Sequence, residues 1–389
     1  MKWSEVPPKA KHYILYHTLT CPLLFTWYIL PYYLLITGYT VIEVGFLFTA
    51  VEVLGTIATA LIGRFFTKVD IRKGLIIMEF LGGLATFIYG FAKGYLAPLV
   101  ILVGTLIEEV ASIFYPLYQA YERLIYPREN LRDLLAWHLR LPELAIVLTY
   151  PIFGYIFGVL CPIPEFIRQS FFVFGLVWMT MVLYIAKFFP GIIPEKEVEH
   201  LTSTGDTFKW LKLYVIAHVI FMLAWSLTPT LSLVYYIIKV YNGNLLHVAL
   251  VETAISSATI LATYIVEKIP RESGYKALQA GTLLTLIGVV MIVLTPPFPL
   301  LLLAFYIVRL GDAIIFVFKR MWLFEVISAK QAILVPAYIS SIVNVMSLMS
   351  NFISSILSYI DPRAPYVATL SLFTILVALY QKLKEYFRG

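Results

Sequence analysis

Charged residues are scarce in this chain. Of its 389 residues only 13% are Asp, Glu, Lys or Arg, whereas 60% are hydrophobic. Cysteine is limited to Cys21 and Cys161, which lie in different apolar stretches, so the sequence excludes a cysteine-based metal site and argues against a disulfide. A mean hydropathy of +0.86 leaves little room for a soluble domain. The composition therefore predicts a polytopic membrane protein.

Twelve apolar stretches can be drawn along the chain. Most are long enough, at about 20 residues or more, to cross the hydrocarbon core of a bilayer as helices. We number them spans one to twelve. They begin near Tyr13, Thr40, Ile71, Tyr95, Leu134, Phe166, Trp210, Leu245, Tyr275, Phe298, Ala332 and Pro365.

The longest hydrophilic stretch separates six spans from six. Lys68, after the second span, recurs as Lys268 after the eighth, which indicates an internal repeat. Many transporters are built from repeated halves of this kind. We therefore predict an all-α integral membrane fold with two pseudo-symmetric six-helix bundles, residues 1–189 and 209–389, joined by a cytoplasmic linker at 190–208.

Lysine and arginine are concentrated in alternate loops. Most of the 29 basic residues fall there, including Lys2, Arg72, Lys268, Lys319 and Lys384. The positive-inside rule then places both termini in the cytoplasm. The net charge of +6 is thereby explained by topology, without a nucleic-acid partner. We expect a monomer surrounded by lipid in the cytoplasmic membrane, with no cofactor.

Four charged residues interrupt apolar runs in spans four and ten. Glu108 and Glu109 lie in the first of these runs, and Arg309 and Asp312 lie in the second. An ionised side chain at bilayer depth costs at least a few kcal/mol unless it faces a partner, the bundle interior or water. These four residues are therefore candidates for a substrate or proton site.

One face of span four is polar along its length. The spacing of three and four residues puts the polar side chains on a single helical stripe, made of Thr105, Glu108, Ser112, Tyr115, Gln119 and Glu122. Such a stripe predicts a face that lines a water-filled cavity, and Tyr115 is a candidate lining residue. The alternative is close helix packing through small polar side chains.

Two short stretches resemble motifs of the major facilitator superfamily. The turn after span two, from Gly63 to Lys73, is similar to the family's glycine- and arginine-rich loop, although Thr67 replaces its usual acid and Asp70 stands where glycine is common. In span five, Tyr150 to Gly158 is similar to the family's antiporter motif. The resemblance implies transport by alternating access, with spans one, four, seven and ten lining the cavity.

Several roles follow for these side chains. Glu108 is the candidate proton or cation site, with Glu109 next to it, and a salt bridge from Glu108 to Arg140 or Arg309 is the structural alternative. We expect Glu108 and Arg309 near mid-membrane, facing a space between the bundles. Arg309 suits an anionic group of the substrate, and Asp312 can orient its guanidinium group.

Other polar residues have less specific roles. Arg140 and Glu143 form either an internal gate or a packing bridge. His17 and His218 are either proton-relay residues or hydrogen-bonded core residues. Lys68, Asp70 and Arg72 are predicted to be a cytoplasmic latch, for which simple positive-inside anchoring is the alternative.

The leading functional prediction is a secondary active transporter. It would move a small solute across the membrane with proton coupling, and export or antiport is one mode. A lipid flippase on the same fold is the first alternative, and a membrane enzyme acting on lipid-linked substrates is the second. The aqueous loops hold no paired-Asp motif, no Ser/His/Asp set and no phosphate loop. We therefore expect no catalytic residues and no bound metal.

Overall fold

The computed structural model describes residues 1–62, 70–127, 130–191, 205–270, 273–326 and 334–382. These residues are almost entirely helical and contain no strand. The first eight α-helices are α1 (Pro8–Thr20), α2 (Thr26–Ile36), α3 (Val41–Ile62), α4 (Ile71–Tyr89), α5 (Ala97–Ser112), α6 (Pro116–Ile125), α7 (Leu131–Tyr155) and α8 (Pro164–Phe188). The other eight are α9 (Gly205–Ser226), α10 (Thr230–Tyr241), α11 (Leu245–Lys268), α12 (Gly274–Val293), α13 (Phe298–Val326), α14 (Leu334–Ser347), α15 (Ser350–Ile360) and α16 (Ala364–Lys382).

Every predicted span falls on one or two of these helices. By length and composition, nine helical segments of the described residues can cross a membrane, or ten if the bent pair α9 and α10 is one span. The other two predicted spans are α3 and α4, which carry acidic or basic residues within their length. The predicted all-α membrane fold is confirmed.

Three of the spans predicted to line a cavity are broken. Span one changes to a 3-10 helix at Cys21–Phe25, where Pro22 removes a backbone donor. Span four turns between α5 and α6, immediately before Pro116. Span seven bends by 41° between α9 and α10, at Pro229. The polar stripe of span four is therefore divided between two helices, with Tyr115 in the turn.

The chain forms two compact units. The first unit comprises Met1–Lys196 with Asn244–Ala249, and the second comprises Glu197–Gly243 with Leu250–Gly389. Within the first unit, the Asn244 side chain donates a hydrogen bond of 2.8 Å to the Gly158 carbonyl. Each unit has its own buried apolar cluster, centred on α1, α4 and α6 in the first and on α9, α13 and α16 in the second.

Glycine allows α4 and α8 to approach closely. A Cβ atom on Gly83 would lie 2.8 Å from the backbone nitrogen of Met179, and one on Gly175 would lie 2.7 Å from the Gly83 carbonyl oxygen. Backbone atoms cannot move aside as a flexible side chain can. The neighbouring Gly82 differs, because its Cβ atom would be 3.8 Å from the nearest atom, in the Trp178 ring.

We expect Gly83→Ala to lower the melting temperature of the purified protein, because overpacking at such a contact costs about 1–3 kcal/mol. Gly82→Ala is the matched control and should be neutral or slightly stabilising, since alanine favours a helix over glycine by about 1 kcal/mol. Thermal unfolding in detergent measures both. Equal melting temperatures for the two variants would contradict the packing argument.

Candidate functional site

Glu108 lies on α5 and is held by two neutral donors. The Tyr89 hydroxyl group donates to Oε2 at 2.9 Å, and the Trp27 indole nitrogen donates to Oε1 at 3.3 Å. Both donors belong to the same unit as Glu108, on α4 and α2. Among the described residues of this unit, the carboxylate thus takes its hydrogen bonds from groups that carry no charge.

Glu109 points to a different neighbour. A Cβ atom on Gly55 of α3 would lie 2.5 Å from Glu109 Cβ and 2.8 Å from Oε2, so the Glu109 side chain lies directly against that glycine. Consecutive residues on a helix point about 100° apart. Glu108 therefore contacts α2 and α4, while Glu109 packs on α3.

A third carboxylate, Glu79 on α4, was missed by the sequence analysis. It is 6% exposed and accepts hydrogen bonds from the Tyr118 hydroxyl group and, at 2.5 Å, from the Trp178 indole nitrogen. The signal that singled out Glu108 was also present here, because Glu79 is a lone acid within an apolar run.

Arg309 and Asp312 form an ion pair on α13. Nη1 of Arg309 lies 2.9 Å from Oδ2 of Asp312, and Nε donates to the Thr259 hydroxyl oxygen at 2.9 Å. The Trp225 indole nitrogen donates to the other carboxylate oxygen of Asp312 at 3.0 Å. The guanidinium side chain is 37% exposed and the Asp312 side chain 12%, so the pair is reachable from the arginine side.

Lys319 lies two turns further along α13 and is only 2% exposed. The sequence analysis counted it among the basic residues of a cytoplasmic loop, whereas its side chain is buried within α13. Its Nζ atom has no hydrogen-bond partner among the described residues and lies 3.5 Å from the centroid of the Phe221 ring. A buried amine without an acceptor is costly, so this residue requires an explanation.

The remaining candidates are dispersed. Tyr115 is 49% exposed in the turn between α5 and α6. Arg140 and Glu143 are partly buried on α7. His218 on α9 lies 3.5 Å from the Tyr214 hydroxyl oxygen through its Nδ1 atom.

The predicted latch is described only in part, since Lys68 lies outside the described residues. Asp70 caps α4, because its Oδ1 atom accepts a hydrogen bond of 3.0 Å from the Lys73 backbone nitrogen. Gly191 lies beside both charged side chains: a Cβ atom there would be 3.3 Å from Asp70 Oδ2 and 3.6 Å from Arg72 Nη2.

The described residues contain no group of three His, Cys, Asp or Glu side chains that could hold a metal ion. Their polar intramembrane groups include the hydrogen-bonded Glu108 and Glu79 and the ion pair of Arg309 with Asp312. Helices long enough to cross a membrane define a multi-pass membrane protein, and the carboxylate and guanidinium groups inside them are candidates for a functional site.

The sequence matches the Major Facilitator Superfamily over residues 18–357, and the chain belongs to that family. It is therefore a membrane protein that transports a solute, and the family points to a transporter rather than an enzyme. A comparison with curated proteins gives no match.

Solved structures of transporters share the fold. A bacterial homologue of the iron transporter ferroportin, in an inward-facing state, has a TM-score of 0.74 at 14% identity, covering 98% of this chain and 99% of that one. The human organic anion transporter MFSD10 has a TM-score of 0.68 at 14% identity, covering 96% and 100%. The nucleoside transporter NupG has a TM-score of 0.63 at 13% identity, covering 96% and 99%.

We expect Lys319→Met to raise the melting temperature, because methionine fills a similar volume and removes a buried polar group whose lack of a partner costs about 1–3 kcal/mol. Lys212→Met, at an exposed position of α9, is the control and should change little. Thermal unfolding in detergent measures both variants. A lower melting temperature for Lys319→Met would mean that the amine stabilises the second unit through its contact with Phe221.

Proposed function

We propose that the protein is a proton-coupled secondary transporter that moves a small solute by alternating access. It would act as a monomer in the cytoplasmic membrane, with both termini in the cytoplasm, and export or antiport is one mode. The observation that carries this proposal is the environment of Glu108, whose two oxygens accept hydrogen bonds from Tyr89 and Trp27.

Two neutral donors suit a carboxyl group that changes its protonation state. When Glu108 is ionised, the phenol and the indole stabilise its charge. When it is protonated, its own hydroxyl group can donate to the Tyr89 oxygen, because a phenol both donates and accepts. A strong ion pair would instead hold the carboxylate ionised. Glu108 can therefore bind and release a proton without losing all of its partners.

The environment of Arg309 favours a solute that carries an anionic group. Its guanidinium side chain is 37% exposed beside its contacts with Asp312 and Thr259, and a guanidinium group suits a carboxylate or phosphate because it can donate two parallel hydrogen bonds. In this proposal Arg309 binds the acidic group of the solute, and Asp312 keeps the guanidinium plane oriented when the site is empty. The compared structures are of an organic anion transporter, a nucleoside transporter and a homologue of an iron transporter, so the shared fold selects no substrate.

We also propose that the halves 1–189 and 209–389 are repeats joined by 190–208. Ring contacts support the register. Tyr13 lies 5.3 Å from Tyr121 and 4.6 Å from His17, between ring centroids. Adding 201 to each of these residue numbers gives Tyr214, Trp322 and His218. The Tyr214 ring lies 4.9 Å from Trp322 and 5.6 Å from His218, between ring centroids. The same offset of 201 pairs Glu108 of the first half with Arg309 of the second.

Glu108→Gln should abolish accumulation driven by a pH gradient while leaving solute exchange measurable, because glutamine keeps the volume and an acceptor but binds no proton. The solute is first sought among molecules retained on purification and in a panel of organic acids and nucleosides. Uptake into proteoliposomes then measures accumulation, which should fall at least about tenfold.

Glu43→Gln is the matched control, since Glu43 is exposed at the start of α3. If Glu108→Gln retains full proton-driven accumulation, the proton is carried instead by Glu109, by Asp312 or by Glu52, a further acid within α3. Movement of lipid between leaflets without solute uptake would favour the flippase alternative.

Asp70→Asn should shift the balance between access states, because it removes the only acid described in the latch. Asparagine is also a good helix N-cap, so α4 should remain stable. Labelling of cysteines introduced on the two sides of the membrane measures accessibility. If accessibility is unchanged, Asp70 and Arg72 are only topological anchors.

A further inference from the structure

The first unit contains a second polar cluster, away from Glu108 and centred on His17 of α1. The His17 ring lies 4.6 Å from Tyr13, 4.9 Å from Tyr118 and 4.8 Å from His138, between ring centroids. These rings come from α1, α6 and α7. The cluster therefore joins three helices inside one unit.

A carboxyl group lies at each end of this cluster. At one end, Tyr118 donates to Glu79, so the residue that contacts His17 also contacts a buried carboxyl group. At the other end, Oε1 of Glu122 lies 3.3 Å from Nδ1 of His138 and accepts a hydrogen bond of 3.0 Å from the Tyr13 hydroxyl group.

Glu122 lies towards the end of the unit where the chain begins. The amino group of Met1 lies 2.9 Å from Oδ2 of Asp133, and the Trp137 indole nitrogen donates to the Met1 carbonyl oxygen at 3.2 Å. Trp137 directly precedes His138. The Glu122 side chain is 20% exposed, whereas Glu79 is 6% exposed. The cluster thus runs from a deep carboxyl group to a more accessible one.

Two buried polar atoms in the cluster have no hydrogen-bond partner among the described residues. They are Nε2 of His17 and the hydroxyl oxygen of Tyr126, whose ring lies 6.1 Å from that of Tyr13. Purely structural packing would leave such groups unsatisfied at a cost of about 1–3 kcal/mol each. A group that changes its hydrogen-bond partners during a transport cycle needs a donor or acceptor that is unpaired in one state and paired in another. The χ2 angle of a histidine has a broad distribution, so rotation of the His17 ring can change its hydrogen-bond partners.

We propose that Glu79 is a second proton-binding site and that Tyr118, His17, His138 and Glu122 relay protons between it and the Met1 end of the first unit. This inference rests on the proposed proton coupling. It adds a second proton site and a route to it. Glu79 lies roughly 15 Å along α4 from Tyr89, the residue that donates to Glu108, so the two carboxyl groups form separate sites.

Each transfer in the relay conserves protons. Protonated Glu79 donates to the Tyr118 oxygen while the Tyr118 hydroxyl proton passes to Nε2 of His17. The resulting imidazolium group gives its other ring proton to Nε2 of His138, and His138 gives its Nδ1 proton to the Glu122 carboxylate. One proton leaves Glu79 and one arrives at Glu122. Tyr118 and both imidazoles are then neutral, and each imidazole is in its other tautomer until its ring rotates.

Other ionisable groups on the surrounding helices set the electrostatic environment of this relay. They are Tyr13 and Tyr16 on α1, Tyr121 on α6, the nearby Tyr126, Asp133, Arg140 and Glu143 on α7, and the contacting pair His12 and Tyr184 on α1 and α8.

Infrared spectroscopy tests the proposal without knowledge of the solute. The full chain is reconstituted in phospholipid vesicles, and the carboxyl C=O band is recorded as the pH is changed. A pH-dependent band that is lost in Glu79→Gln and retained in Glu108→Gln identifies Glu79 as the titrating group. If no such band depends on Glu79, the second site is refuted.

Time-resolved measurements after a pH jump then test the relay. His17→Gln and His138→Gln should each slow the change in the Glu79 band by about tenfold or more, since glutamine forms hydrogen bonds but does not shuttle protons. His12→Gln is the matched control, because His12 stacks on Phe188, at 4.4 Å, and lies outside the chain of transfers. Rates equal to the wild type in both variants would overturn the relay.

The two histidine variants provide independent tests, so a folding failure in one leaves the other informative. Unchanged melting temperatures exclude a general loss of structure. Glu108→Gln should leave the rate of the Glu79 band unchanged. Failure of the relay therefore differs from failure of the Glu108 coupling role, which is measured by uptake.

Discussion

The arrangement of the first unit depends on satisfying carboxyl groups inside a membrane. Glu79 and Glu108 each receive one phenol hydroxyl and one indole N–H group. The two sites are reciprocal, because α4 supplies Glu79 and Tyr89 while span four supplies Tyr118 and Glu108. Trp178 and Trp27 bring in α8 and α2. An unsatisfied group in hydrocarbon costs several kcal/mol, so these contacts constrain the depth and rotation of four spans.

The second unit stabilises its buried carboxylate by an ion pair and not by neutral donors alone. Asp312 is paired with Arg309, and Lys319 adds a further basic group on the same helix. Ion pairs favour the charged forms of both partners, whereas neutral donors allow a carboxyl group to exist with or without its proton. This contrast agrees with the proposed proton exchange at Glu108 and the proposed binding of an anionic group at Arg309. In the proposed repeat, Arg309 stands where the first half has Glu108, which agrees with this contrast.

The sequence was sufficient for features that follow from hydropathy and spacing. Apolar length predicted the helices, and i, i+3 spacing made the pairing of Arg309 with Asp312 possible. Local spacing could not predict the partners of Glu79, because Tyr118 and Trp178 come from other spans, 39 and 99 residues away along the chain. The burial of Lys319 was also missed, since counting charges near a span end does not determine how deeply a helix of 29 residues places one side chain. Tertiary packing decides both.

The helix breaks separate the two polar sites of the first unit. In span one, His17 precedes the break at Cys21–Phe25 and Trp27 follows it. In span four, Glu108 precedes the turn before Pro116 and Tyr118 follows it. Each span thus contributes one segment to the Glu108 site and another to the His17 cluster, whereas α4 runs unbroken past both. The alternating access that we propose would need such breaks, because a change of bend at either one would move one site relative to the other while the unbroken α4 keeps Glu79 and Tyr89 at a fixed spacing.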